Sequence, residues 1–292
     1  MQKILAVGIA TIDIINELSQ YPKEDSEQRI ISQRNVRGGN ATNLLAILSQ
    51  LNYQTFWAGT LAKDSYYSII KNDLDSYFID DQFIEIYEHH SNPVSYIIYS
   101  QKTSSRTIVH YRDLPEYSFQ QFKSLPLEEF NWLHFEGRNI DEVLKMQQYC
   151  KQYFPELTIS TEIEKNRRDI KQLWPLSDVL FFSKSYALDN HSTSAKDFLT
   201  QHQNQFENKV VSCTWGEQGA SLYGAGEIIS SPAFINENTV DTIGAGDSFN
   251  AGLIDALIRS DNFNALNSQQ VLEYACKTAS LKCSRIGFNL SL

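Results

Sequence analysis

The stretch Asp241-Thr242-Ile243-Gly244-Ala245-Gly246-Asp247-Ser248-Phe249-Asn250-Ala251-Gly252-Leu253 says more about this chain than any other part of it. A small Gly-Ala-Gly turn opens a helix, and Asp247 follows it directly. Backbone N–H groups in the first turn of a helix have no acceptor within the helix, and without side-chain bulk in front of them they attract anions such as phosphate. The same dipole favours an ionised acid, which can accept a proton from an attacking hydroxyl. An anion hole beside a base is what phosphoryl transfer to an alcohol requires. The string is neither the Gly-x-x-x-x-Gly-Lys-Ser/Thr phosphate loop nor a Gly-x-Gly-x-x-Gly dinucleotide fingerprint. Gly-x-Gly-Asp alone is common; the upstream Asp-Thr and downstream Ser-Phe-Asn-Ala-Gly make the longer string specific.

Working outward, the apolar run Lys3–Ile9 reads as a strand buried on both faces. Similar runs follow at Trp132–Phe135, Thr158–Thr161, Val179–Ser183 and Val210–Cys213. Helical patterns lie between them at Asn40–Leu51, Tyr66–Ser76, Glu142–Tyr153 and Ser194–His202. Alternation at this spacing predicts a mainly parallel sheet with helices on both faces. Residues about 10–36 and 84–114 break the pattern with short β-like pieces and no helix. They are expected to form a small sheet, discontinuous in sequence, over the mouth of the main domain. With no linker, low-complexity tract or repeat, residues 1–292 read as one domain carrying that insertion.

Composition narrows the function further. At 42% hydrophobic residues a sizeable core can form. No run approaches the ~18 apolar residues of a membrane span, and no signal peptide is expected. A net charge of −10 argues against nucleic acid as a partner. Four scattered cysteines, Cys150, Cys213, Cys276 and Cys283, without a C-x-x-C pair, predict reduced thiols and a cytoplasmic protein.

Other candidate sites stay open on residue chemistry alone. Asn40 and Asn43, behind Gly38-Gly39, share one face of a helix's first turn and suit a polyhydroxylated ligand, or simply form an N-cap. Asp13 follows the first strand, where open α/β sheets bind ligands; it could equally cap a turn. Val210–Gly219 runs from a buried strand into a turn that could face a nucleotide or be only a tight turn. Arg106 could reach a phosphate or lie exposed on its strand. Asp80-Asp81 and His89-His90 read as solvated surface.

Taken together, Gly38-Gly39-Asn40-Ala41-x-Asn43 and Asp241-Thr242-x-Gly244-Ala245-Gly246-Asp247 resemble the two signatures of the ribokinase-like (pfkB) carbohydrate kinases. Phe135-Glu136-Gly137-Arg138-Asn139, Arg106-Thr107-Ile108-Val109 and Ser183-Lys184 make the chain most similar to that family's ketohexokinase branch. The resemblance spans the whole chain. It implies a three-layer α/β sandwich with a β-sheet lid, and ATP-dependent phosphorylation of a ketohexose, D-fructose above others, at its 1-hydroxyl. Other same-fold readings are a ribose, tagatose or adenosine kinase, or a non-catalytic sugar sensor.

By resemblance Asp247 is the general base, and Gly244, Ala245 and Gly246 form the anion hole. Asp13, Gly39, Asn40 and Asn43 hold the sugar. Arg106 and Lys184 lie near the nucleotide phosphates, and Trp215, Gly216, Glu217, Gly219 and Cys283 line the nucleotide cleft. Asp25 reaches the sugar site of a partner subunit in a dimer that clasps its lids. Asp241 matches a position beside a monovalent cation, K⁺, in relatives. Where many members carry Asn-x-x-Glu for the Mg²⁺ water network, this chain reads Ser183-Lys184-Ser185-Tyr186, so the motif does not say which carboxylate orders Mg²⁺; Glu162 and Glu164, at the end of a predicted strand, are candidates.

Overall fold

The computed structural model describes residues 1–103, 105–234, 239–260 and 267–290. The chain begins with β1 (Lys3–Val7), β2 (Thr11–Leu18), β3 (Ser32–Gly38), α1 (Asn40–Gln50), β4 (Gln54–Ala58), β5 (Thr60–Ala62) and α2 (Tyr67–Ser76). β6 (Glu85–Tyr87), β7 (Val94–Ser100), β8 (Ser105–Tyr111), α3 (Phe119–Phe122), β9 (Trp132–Glu136), α4 (Ile140–Tyr153) and β10 (Thr158–Ile163) follow. The last third holds β11 (Val179–Phe182), α5 (Lys184–Asp189), α6 (Ala195–His202), β12 (Val210–Thr214), β13 (Ala220–Gly224), β14 (Glu227–Ser231), α7 (Ala245–Arg259) and α8 (Ser268–Cys283).

Eight strands form the central sheet in the order β14-β13-β12-β11-β10-β9-β1-β4. Its six strands from β12 to β4 are parallel; β13 and β14 continue it as an antiparallel edge. Because successive strand residues point to opposite faces, Ile4 and Ala6 pack with α1, α7 and α8, whereas Leu5 and Val7 pack with α4. In β11 the same alternation sends Phe181 to the first face and Leu180 and Phe182 to α5 and α6. Two apolar faces per strand, each covered by helices, give the three-layer α/β sandwich.

A separate four-stranded sheet, β3-β2-β7-β8, comes from the two segments outside the alternation. β2 and β7 pair parallel, and β3 and β8 flank them antiparallel. From β1 the main sheet runs outward to β4 on one side and β9 on the other, so a crevice opens beyond the carboxyl end of β1, where doubly wound sheets place ligands. Among the described residues no helix is long and apolar enough to cross a membrane.

Candidate active site

A cavity of about 500 Å³ opens between the small sheet and the carboxyl ends of the parallel strands. The first turns of α1 and α7 face each other across it. At α1 the chain passes through Gly39 at φ 108°, where an added Cβ would come within 2.2 Å of the Ile9 carbonyl oxygen. Gly39, not Asn40, therefore caps the helix, and no side chain takes that role. Both asparagines are thereby free of capping work. Asn40 Nδ2 donates to Glu162 Oε2 (2.9 Å), and Asn43 Nδ2 donates to Asp247 Oδ2 (2.8 Å).

At α7 the cap is Gly244, in the left-handed region at φ 79°, again without a side-chain capping bond. An added Cβ there would lie 2.3 Å from the Phe288 ring, so only glycine fits. Ala245 N–H makes one long bond, 3.3 Å, to the Thr242 carbonyl. Thus a helix N-terminus bare of side-chain caps meets a buried carboxylate within one turn.

Asp247 is 7% exposed. Burial pushes its carboxyl up to about 7, and the charges of Glu164 and Glu136 add to the shift, while the Asn43 amide and the Arg37 guanidinium oppose it. An acid poised near neutrality suits a base that takes a proton and later releases it. Burial likewise raises Asp13, which accepts from Thr11 Oγ1 at 3.0 Å. Glu162 is held well above the usual carboxylate range by burial and by the neighbouring charges of Asp247 and Glu164.

The structure gathers Asp13, Gly39, Asn40, Asn43, Arg106, Glu162, Glu164 and residues 244–247 around this one cavity. Lys184, Trp215, Gly216, Glu217 and Gly219 stand outside its lining. There the Lys184 ammonium sits 5.6 Å from the Trp215 ring centroid, and Gly216–Gln218 forms a short 3₁₀ turn beside Thr214, which does line the cavity. Cys283 lies at the end of α8, its carbonyl accepting from Val240 and Asp241 N–H. Asp25 is exposed on the loop between β2 and β3 and is not among the residues lining the cavity.

Asp241, matched by resemblance to a position beside a monovalent cation, is bonded by groups of the chain itself. The Lys282 ammonium donates to the Asp241 carbonyl at 2.9 Å and lies 3.3 Å from Asp241 Oδ2. Ile243 N–H donates to Oδ1 and Gly287 N–H to Oδ2 of the same carboxylate. The Asp241 oxygens thus hold an ammonium and two amides.

Several residues of consequence escape sequence reasoning. Glu136 Oε1 accepts from the backbone N–H of Ile9 (3.1 Å) and Ala41 (2.7 Å), tying the end of β1 to the start of α1. Arg37 is buried and ion-paired to Asp73; its Nη1 also donates to Thr42 Oγ1 and to Asn43 Oδ1 (2.9 Å), which fixes the amide that meets Asp247. Arg138, Lys165 and Arg167 join Arg106 along the cavity wall, giving a cationic side to a site whose floor is carboxylate-rich. Lys282 carried a readable signal: it continues the buried stripe Ala275, Thr278 of α8.

A family model described as pfkB family carbohydrate kinase matches residues 1–292. The chain belongs to this family of phosphotransferases, which act on a sugar hydroxyl. It is 34% identical to ketohexokinase of Mus musculus, over 99% of this chain and 98% of that protein. It is also 23% identical to ribokinase of Bacillus subtilis, over 98% and 94% of the two chains. The structure of ribokinase from Giardia lamblia superposes with a TM-score of 0.82 at 16% identity, covering 98% of this chain and 94% of that one, and shares its fold.

Proposed function

We propose that this sugar kinase transfers the γ-phosphoryl group of ATP to the 1-hydroxyl of a ketohexose, converting D-fructose to fructose 1-phosphate. The observation that carries the reading is the Asn43–Asp247 hydrogen bond at the bare N-terminus of α7, with Asp13 and Asn40 lining the same cavity. Asp13, Asn40 and Asn43, with the Gly39 backbone, bind the sugar hydroxyls and set one of them against Asp247. The first-turn N–H groups of residues 244–246 meet the charge that develops on the transferred group; one such donor is commonly worth about 3–4 kcal/mol. Asp247 takes the hydroxyl proton as the new O–P bond forms. Arg106 holds the phosphates, and Lys184 and the Trp215–Gly219 turn lie toward the nucleotide. Most of the rate is then placement and charge stabilisation.

Magnesium fits the residues present. Among the described residues no three His, Cys, Asp or Glu side chains gather into a metal cage. Mg²⁺ on a nucleotide needs only phosphates, waters and one or two carboxylates. Glu164 lines the cavity, whereas both oxygens of Glu162 already accept from Asn40 and Asn250, so Glu164 is the better candidate to order the metal's water shell. When bound, the ion neutralises phosphate charge.

We also infer a homodimer through the small sheets. β8 is an edge strand exposed along its whole length, with Ile108, Val109 and Tyr111 each more than half exposed. A long apolar edge of this kind invites a partner. Asp25 would then serve the partner's sugar site. Four free thiols accord with a cytoplasmic location. A coupled ADP-release assay across fructose, tagatose, ribose and adenosine tests the reading. Fructose is expected to give the highest kcat/KM, and preference for ribose or adenosine would reassign the substrate.

A further inference from the structure

The phosphoryl-transfer scheme assigns no work to Arg37, yet its side chain is wholly buried one residue away from the base. A buried guanidinium is costly unless its N–H groups are paired. Arg37 lies near the end of β3, and its planar fork reaches three other parts of the chain. Nε pairs with the Asp73 carboxylate of α2, and the guanidinium lies 5.8 Å from the centroid of the Phe288 ring. Nη1 directs both of its hydrogens at α1, one to Thr42 Oγ1 (2.7 Å) and one to Asn43 Oδ1 (2.9 Å). The Thr42 hydroxyl in turn donates to the backbone carbonyls of Gly38 and Gly39, each at 3.1 Å.

The consequence falls on the Asn43 amide. An amide can present either its oxygen or its NH₂ group to a neighbour, and the two ends are nearly equal in size. With Oδ1 held by Arg37, it is Nδ2 that faces Asp247 and donates to Oδ2 at 2.8 Å. The surroundings make this orientation matter. Glu136 of β9, Glu162 of β10 and Glu164 beyond it crowd negative charge around Asp247, opposed by Arg37 and by Lys282 of α8. A turned amide would set a carbonyl oxygen against the carboxylate. Arg37 itself is not among the residues lining the cavity, so it reaches the reacting groups through Asn43.

We propose that Arg37 is a positioning residue: by holding Asn43 Oδ1 it turns the Asn43 amide so that an N–H, and not the carbonyl, meets the Asp247 carboxylate and fixes it for the attacking hydroxyl. Its effect on turnover rests on the kinase reading above; its hold on the Asn43–Asp247 pair does not.

Two measurements separate these. In steady-state assays Arg37→Met should lower kcat by about 10²-fold, the scale of a small misplacement of reacting groups, with the ATP KM within about threefold. In an Asn43→Ala background the same substitution should lower kcat by less than about threefold, because the amide it turns is gone. A further loss of about 10²-fold there would show that Arg37 acts by another route and would overturn the proposal, as would wild-type kcat in Arg37→Met. Should Arg37→Met fail to fold, Arg37→Lys decides. An ammonium keeps the charge but cannot serve Asp73, Thr42 and Asn43 together as a planar fork does, so kcat should fall at least about tenfold, and wild-type kcat would overturn the proposal. Thermal denaturation at pH ~8 tests the contact without any substrate. Arg37→Met should lower the melting temperature more in the wild type than in Asp247→Asn, where no buried carboxylate needs the amide N–H. An equal drop in both backgrounds would overturn the proposal. A wild type that phosphorylates no sugar removes the kinase reading but leaves the melting data to judge Arg37.

Discussion

As the proposed base, Asp247 would face two demands that pull against each other: burial to exclude water, and ionisation to accept a proton. Burial raises the carboxyl from 3.8 to about 7, against the Asn43 amide and the Arg37 guanidinium, which favour the ionised form. In the free protein kcat/KM should therefore rise about tenfold per pH unit up to pH ~6 and level off above ~8, a limb absent from the residual rate of Asp247→Asn. The sign for stability is the reverse. A folded-state pKa above the unfolded one means the native state holds its proton more tightly, so stability falls as pH rises from about 4 to about 7. Asp247→Asn should raise the melting temperature at pH 8, less at pH 5, and not at all below pH ~4. An equal shift at every pH would remove the buried charge from the account. Gly244→Ala should cut kcat by at least about 10²-fold, since a Cβ at 2.3 Å from Phe288 must move the turn that places the N–H donors. Wild-type turnover in that variant would show that the turn tolerates the movement.

The two helix starts and the parallel strands are legible in the sequence because each is written in local pattern: glycine turns, first-turn spacing and apolar runs. The lid segments stand out for the opposite reason, as β-like pieces with no helix between them. What local pattern does not carry is the joining of elements across the sheet. Glu136 lies 95 residues from Ala41, whose N–H it accepts, and Asp247 lies 204 from Asn43. A lone buried carboxylate or lysine carries no periodic trace of its partner. Asp241 is a further case, because the lysine that bonds its carbonyl lies 41 positions away. The β13–β14 hairpin is also silent in the sequence, its short strands lacking a helix to announce them. Glu136 shows what such cross-links contribute. Glu136→Ala would leave two backbone N–H groups buried and unpaired, and should cost at least about 2 kcal/mol in denaturant unfolding. A loss under about 0.5 kcal/mol would mean that water replaces the carboxylate.

For the molecule entire, the small sheet lies over a cavity at the carboxyl ends of the parallel strands; in the proposed mechanism it would keep water, a competing acceptor, from the transferred group. If two lids clasp, light scattering at working concentration should give twice the 33.4 kDa chain mass. Asp25→Ala should then raise the sugar KM while leaving ATP binding unchanged; a monomeric solution species would withdraw the role of Asp25. The most direct trial of the central claim sets binding against turnover in one variant. Calorimetry on Asp247→Asn with fructose and with a non-hydrolysable ATP analogue should give affinities within a few-fold of wild type, while ADP release falls by at least about 10²-fold. Turnover at the wild-type rate in that variant would contradict the claim that the Asp247 carboxylate takes the sugar's proton.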